Sequence, residues 1–232
     1  MNSKKLNILS LLHYLLPFTG AILGMGIAYC VKPKTPSGFK LILAFSGAFL
    51  LGITLFHLLP KVYSIPNNDI GIWIVGGIIT QILLEYLSQG AEHGHTHVKK
   101  NSSLPWILML SLSVHAFIEG LPLQFEQPLI WGIFIHKIPI GMVLFFVLWE
   151  STATLFTKLF CLFFFALMTP LGTFIFESTS FFQVWEFPIL AVVIGMLLHI
   201  ATTILFESNQ GHAFNFKKLL TILIAFGISF LL

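Results

Sequence analysis

The sequence predicts an all-α polytopic membrane protein, and three observations carry that expectation. Of 232 residues, 56% are hydrophobic and only 9% charged, with a mean hydropathy of +0.92. A soluble domain averages about 25% charged residues, so this chain has too little polar material to coat a water-facing surface. Apolar runs of about 20 residues, each enough for a hydrocarbon core of about 30 Å, recur eight times. The charge is also misplaced for a soluble protein: there are 25 phenylalanines and no arginine, and the lysines behind the net charge of +3 sit mostly at the ends of apolar runs. Orientation in a lipid bilayer explains those lysines better than nucleic-acid binding does. Cys30 and Cys161 supply neither a disulfide framework nor a Cys-x-x-Cys metal motif. Disordered chains, secreted disulfide scaffolds and cytosolic enzymes are excluded.

The first expected span, 6–31, follows Lys4 and Lys5. It is too long for a signal-peptide core and lacks a small-residue cleavage site, so it is kept as a helix. The second, 41–59, carries His57, and the third, 70–87, carries Glu85 near its end. A loop over 88–103 contains the alternating tract His93, His95 and His97. The fourth and fifth spans, 104–125 and 129–149, are joined by a tight connection that makes them antiparallel neighbours. Spans over 155–176, 184–206 and 216–232 complete a single transmembrane domain over 1–232. Eight spans put both termini on one side. With the N-terminus outside, the inner loops hold eight lysines (32, 34, 40, 99, 100, 158, 217 and 218), against Lys4, Lys5 and Lys61 outside. The positive-inside rule therefore puts both termini outside a cell membrane and the histidine loop in the cytoplasm.

Ionisable side chains within a span cost about 2.5–3.5 kcal/mol at mid-helix and are functional suspects by default. The fourth span contains His115 and Glu119 in Val-His-Ala-Phe-Ile-Glu-Gly-Leu-Pro. Their i, i+4 spacing puts both on one helix face. The fifth contains His136 and Lys137 in Phe-Ile-His-Lys-Ile-Pro-Ile-Gly. Counting from the connection at about 1.5 Å per residue, Glu119 lies ~9 Å deep, His136 ~12 Å and His115 ~15 Å. Two imidazoles and a carboxylate in one layer suit Zn²⁺ or a similar ion; the competing reading is two buried histidines in private hydrogen bonds. Glu119 is the nearby carboxylate that Lys137 can pair with, and otherwise Lys137 would turn away toward the interface. Pro122 and Pro139 are expected to interrupt their helices and free the carbonyls of Ile118 and Ile135.

Other polar residues sort by side. His57 lies toward the outer end of its span, while His199 and Glu207 lie in the inner part of the seventh, with His212 just beyond. With the central cluster they form a series of stepping stones for a cation, against ordinary interfacial placement for His57, Glu207 and His212. His93, His95 and His97 form a tract that binds transition metals weakly, because flexible imidazoles lose entropy on chelation.

At these residues the sequence resembles the ZIP family of divalent-metal transporters. The run from Phe45 to Pro60 resembles that family's second helix, and the runs from His115 to Gly120 and His136 to Gly141 resemble its fourth- and fifth-helix signatures. The resemblance implies a 3+2+3 arrangement, with the fourth and fifth helices inside two inverted three-helix repeats. Many members hold two metals bridged by acids. Here Ala116 stands where many have Asn, Lys137 where many have an acid, and Ile140 where many have a bridging Glu. Some branches also have Lys after the fifth-helix His. The expectation is therefore a single metal bound by His115, Glu119 and His136, with Lys137 holding the second position.

The function expected is uptake of Zn²⁺, or of Fe²⁺, Mn²⁺ or Cd²⁺, toward the cytoplasm by alternating access, with no cofactor and a homodimer as one assembly state. Two rivals are an intramembrane zinc hydrolase, which would need an open water position and a separate acid–base group, and a non-transporting metal sensor.

Overall fold

Inside a bilayer every backbone N–H and C=O must find a partner within the chain, so apolar runs of this length become helices. A computed structural model of the protein describes residues 8–31, 36–64, 69–91, 103–207 and 216–232. Among these residues there are helices and no strand. In chain order they are α1 (Ile8–Val31), α2 (Pro36–Ile53), a π-turn (Thr54–Leu58), α3 (Leu59–Tyr63), α4 (Ile70–Ser88) and α5 (Trp106–Gly120). There follow α6 (Gln127–Glu150), α7 (Leu155–Ser178), α8 (Ser180–Val184), α9 (Glu186–Glu207) and α10 (Phe216–Leu231). Six of the helical segments are long and apolar enough to cross a membrane, with α2, the π-turn and α3 acting as one. The apolar helices α5 and α10 are shorter, at 15 and 16 residues. The histidine tract at 93–97, His212 and Lys4, Lys5, Lys32, Lys34, Lys99 and Lys100 lie outside the described residues.

Two prolines shape their helices in different ways. Pro60 has no N–H and its ring crowds the carbonyl four residues back. The chain answers by widening the preceding turn: Leu59 N–H bonds to Thr54 O, five residues back, and the Thr54 hydroxyl caps Leu50 O at 2.8 Å. Pro122 ends a helix instead of kinking one. α5 stops at Gly120, and residues 121–125 form a turn in which Leu121 N–H bonds to Ile118 O at 3.1 Å and Phe125 N–H to Pro122 O at 3.1 Å. The expectation of a freed Ile118 carbonyl is thus corrected, because that carbonyl is used by the turn. Pro139 does lie inside a helix, α6.

The most extensive helix–helix contacts are α1 with α6, α4 with α9, α2 with α10, and α5 with α7. Their apolar side chains form two clusters. On α6, Leu129, Ile130 and Ile133 belong to the first cluster, and residues from Ile140 to Leu148 to the second. His136 and Lys137 lie between them, so the polar layer sits at the boundary of two dry regions. Contact between α5 and α7 depends on small residues, as membrane helix interfaces commonly do. A Cβ on Gly120 would meet the Thr169 carbonyl oxygen at 2.2 Å, and one on Gly172 would meet the Phe117 carbonyl oxygen at 2.2 Å. Gly120→Ala and Gly172→Ala are each expected to cost about 1–3 kcal/mol by overpacking, read as a loss of folded protein in a denaturant titration in detergent.

Candidate metal centre

α5 presents His115 and Glu119 one turn apart, and α6 presents His136 across from them. The three side chains are essentially sealed from solvent, at 0%, 1% and 0% exposure. One ligand atom from each lies within 4.8 Å of the others, and this is a His–Glu–His group able to hold a metal ion. His115 Nε2 lies 3.3 Å from Glu119 Oε2, and the two imidazole rings are edge-on with centroids 6.1 Å apart. Two nitrogens and a carboxylate oxygen at this separation need only small side-chain adjustments to meet an ion at ~2.0–2.2 Å.

Lys137 does not reach for the interface. It is buried, forms an ion pair with Glu119 Oε1 and lies 4.7 Å above the ring of Phe165 on α7. α7 adds a second contact, because Thr169 Oγ1 donates to Glu119 Oε1 at 3.1 Å. Glu119 is therefore held on one oxygen by a cation and a hydroxyl, while the other faces His115. From α4, Gln81 reaches His115: Nδ1 donates to the Gln81 amide oxygen at 3.0 Å. Ala116 and Ile140 are buried and apolar and bring no donor atom.

The remaining expected residues are not drawn into this group. His57 turns toward α10, where its Nε2 lies 2.7 Å from the Ser229 carbonyl oxygen. His199 on α9 pairs with Glu85 on α4 at 2.5 Å, and both line a cavity of about 880 Å³ with Tyr86, Gln89 and Ile107. Glu207 ends α9. At the far end of α5, Lys61 pairs with Glu126 and donates to Phe125 O at 3.1 Å, fastening α3 to the α5–α6 turn. Sequence reasoning missed Gln81 and Thr169 and gave Glu85 no role. Gln81 and Glu85 did carry a signal, since they are polar, four residues apart and set in an otherwise apolar span.

Apolar helices around a sealed His–Glu–His group define a polytopic membrane protein with a ligand set for a divalent transition metal. A family model described as ZIP zinc transporter matches residues 85–232, which include the whole group. The chain belongs to the ZIP zinc transporter family. Members of that family are transporters of zinc and other divalent metals, not enzymes. Comparison with curated proteins gives no significant match.

Proposed function

We propose that this protein carries Zn²⁺ into the cytoplasm by exposing the central group to the two membrane faces in turn. The observation that carries the reading is the buried convergence of His115, Glu119 and His136. Imidazole and carboxylate suit zinc, and the same donors accept Fe²⁺, Mn²⁺ and Cd²⁺. One metal binds at a time, because Lys137 takes the oxygen of Glu119 that a second ion would need. Zinc flux into proteoliposomes, with wild type beside His115→Ala, tests the reading; equal flux from both proteins would refute it.

Eight crossings in a 3+2+3 arrangement fit the packing, with α5 and α10 as the fourth and eighth spans. Exchange first with sixth, second with seventh, third with eighth, and fourth with fifth. The α1–α6 contact then maps onto α7–α5, and α4–α9 onto α10–α2. Such an exchange is what two inverted repeats around a central pair produce. The single transmembrane domain over 1–232 is part of the same proposal. Nothing in the described residues supports the expected homodimer.

The lysine distribution supports external termini in a cell membrane. A cysteine introduced at Gln127 should be labelled only from outside, and one at His95 only from the cytoplasmic side. Labelling at His95 from outside would reverse the direction proposed. On the inner side His199 and Glu207 are proposed to receive the ion, and His57 to meet it on the outer side. His93, His95 and His97 are proposed to adjust transport without being required. Their combined change to Ser should therefore preserve flux at saturating zinc.

A further inference from the structure

Gln81 is a fully buried amide on α4, 34 residues before the imidazole it contacts. An amide in an apolar layer is costly unless hydrogen-bonded, and its oxygen receives the His115 Nδ1 hydrogen at 3.0 Å. In a neutral imidazole one nitrogen donates and the other carries the lone pair. Donation from Nδ1 makes Nε2 the ligating nitrogen, and Nε2 is the one that faces Glu119 Oε2 at 3.3 Å. In the neutral ring, that nitrogen and Glu119 Oε2 are two donor atoms close enough to share one cation. The ring is thus oriented by α4, which packs on α9, while Glu119 is held by Lys137 of α6 and Thr169 of α7.

We propose that Gln81 is the positioning residue that sets metal affinity at this centre. Its amide oxygen locks His115 in the form that ligates through Nε2. A histidine ligand backed by a carboxylate is a stronger donor than one backed by a neutral group. Gln81 therefore gives a ligand correctly aimed but not maximally basic, which suits an ion that must leave again. The inference rests on the proposed zinc-transport reading and adds the residue that tunes it.

The test uses the full chain in detergent for zinc titration and in proteoliposomes for flux, comparing wild type, His115→Ala, Gln81→Met and Gln81→Glu. Methionine keeps the length and removes the acceptor, so zinc affinity should fall about 10–100-fold, the usual cost of losing such a partner. Glutamate keeps the acceptor and strengthens it, so zinc should bind at least as tightly as in wild type while maximal flux falls. A role limited to fastening α4 to α5 would instead weaken both variants together, and that result overturns the inference. Unchanged affinity in Gln81→Met overturns it too. If Gln81→Met fails to fold, Gln81→Glu decides alone: tight binding with slower flux supports the inference, and lost binding in a folded protein ends it. A wild type without zinc binding, or His115→Ala binding like wild type, removes the centre itself. Failure confined to the Gln81 variants leaves the centre standing.

Discussion

His136→Ala is expected to lose zinc binding and zinc flux while the protein still inserts and folds. The imidazole is buried and offers one of the three candidate ligand atoms, yet its removal leaves the Lys137–Glu119 pair and the His115–Gln81 bond in place. Affinity should therefore drop by more than the roughly 10–100-fold that loss of an outer partner costs. Glu119→Ala should behave differently. It removes a ligand and also strands a buried ammonium, and breaking a buried pair from one side costs about 3–5 kcal/mol. Calorimetric titration beside thermal melting separates the two variants. His136→Ala should lose binding with near wild-type melting, and Glu119→Ala should lose both. Wild-type zinc affinity in His136→Ala would remove the centre from the transport path.

The second large effect lies at Lys137. A divalent ion and an ammonium about 8 Å apart repel by about 4 kcal/mol at an effective dielectric of about 20, so the native chain should bind one equivalent. Ile140 lies one turn below His136 on α6 and is 1% exposed. Lys137→Glu combined with Ile140→Glu replaces the cation that pairs with Glu119, and a buried alkyl side chain further along α6, with two carboxylates. This double variant should bind a second equivalent by calorimetry and elemental analysis. Lys137→Met probes the same pairing by subtraction, because Glu119 then lacks its buried cation. Zinc should restore stability to that variant, by about 2.7 kcal/mol when free zinc is one hundred times the dissociation constant. Two equivalents bound tightly by the native chain would end the single-ion proposal.

Much of this centre is legible in the sequence. The i, i+4 spacing of His115 and Glu119 fixes their shared face, and the tight connection before Gln127 fixes which helix lies opposite. Glu119 was the carboxylate within reach of Lys137, and burial leaves Lys137 with that partner. The surrounding contacts were not legible, because they come from helices far away in the chain. Gln81 and Thr169 lie 34 and 50 residues from the atoms they hold, and hydropathy alone says nothing about which faces of α4 and α7 turn inward. Pro122 was misread for a local reason. A proline in an apolar run reads equally as a kink or as a stop, and only the turn closed by Ile118 and Pro122 carbonyls distinguishes them.

The widened turn at Thr54–Leu58 has a consequence for how the chain tolerates insertion and deletion. A helix advances about 100° per residue, since 3.6 residues complete a turn. A π-turn accommodates one extra residue without disturbing the ladder on either side. Residues after it, including Lys61 on α3, therefore keep nearly the rotational setting they would have without that extra residue. Deleting one residue from Thr54–Leu58 would return the turn to ordinary α-geometry and leave Lys61 facing Glu126 and Phe125, whereas a deletion in the regular part of α2 would swing everything after it by about 100°. The contact between the second span and the α5–α6 turn is thus buffered at Thr54–Leu58, where loss of one residue acts as a shortening instead of a rotation.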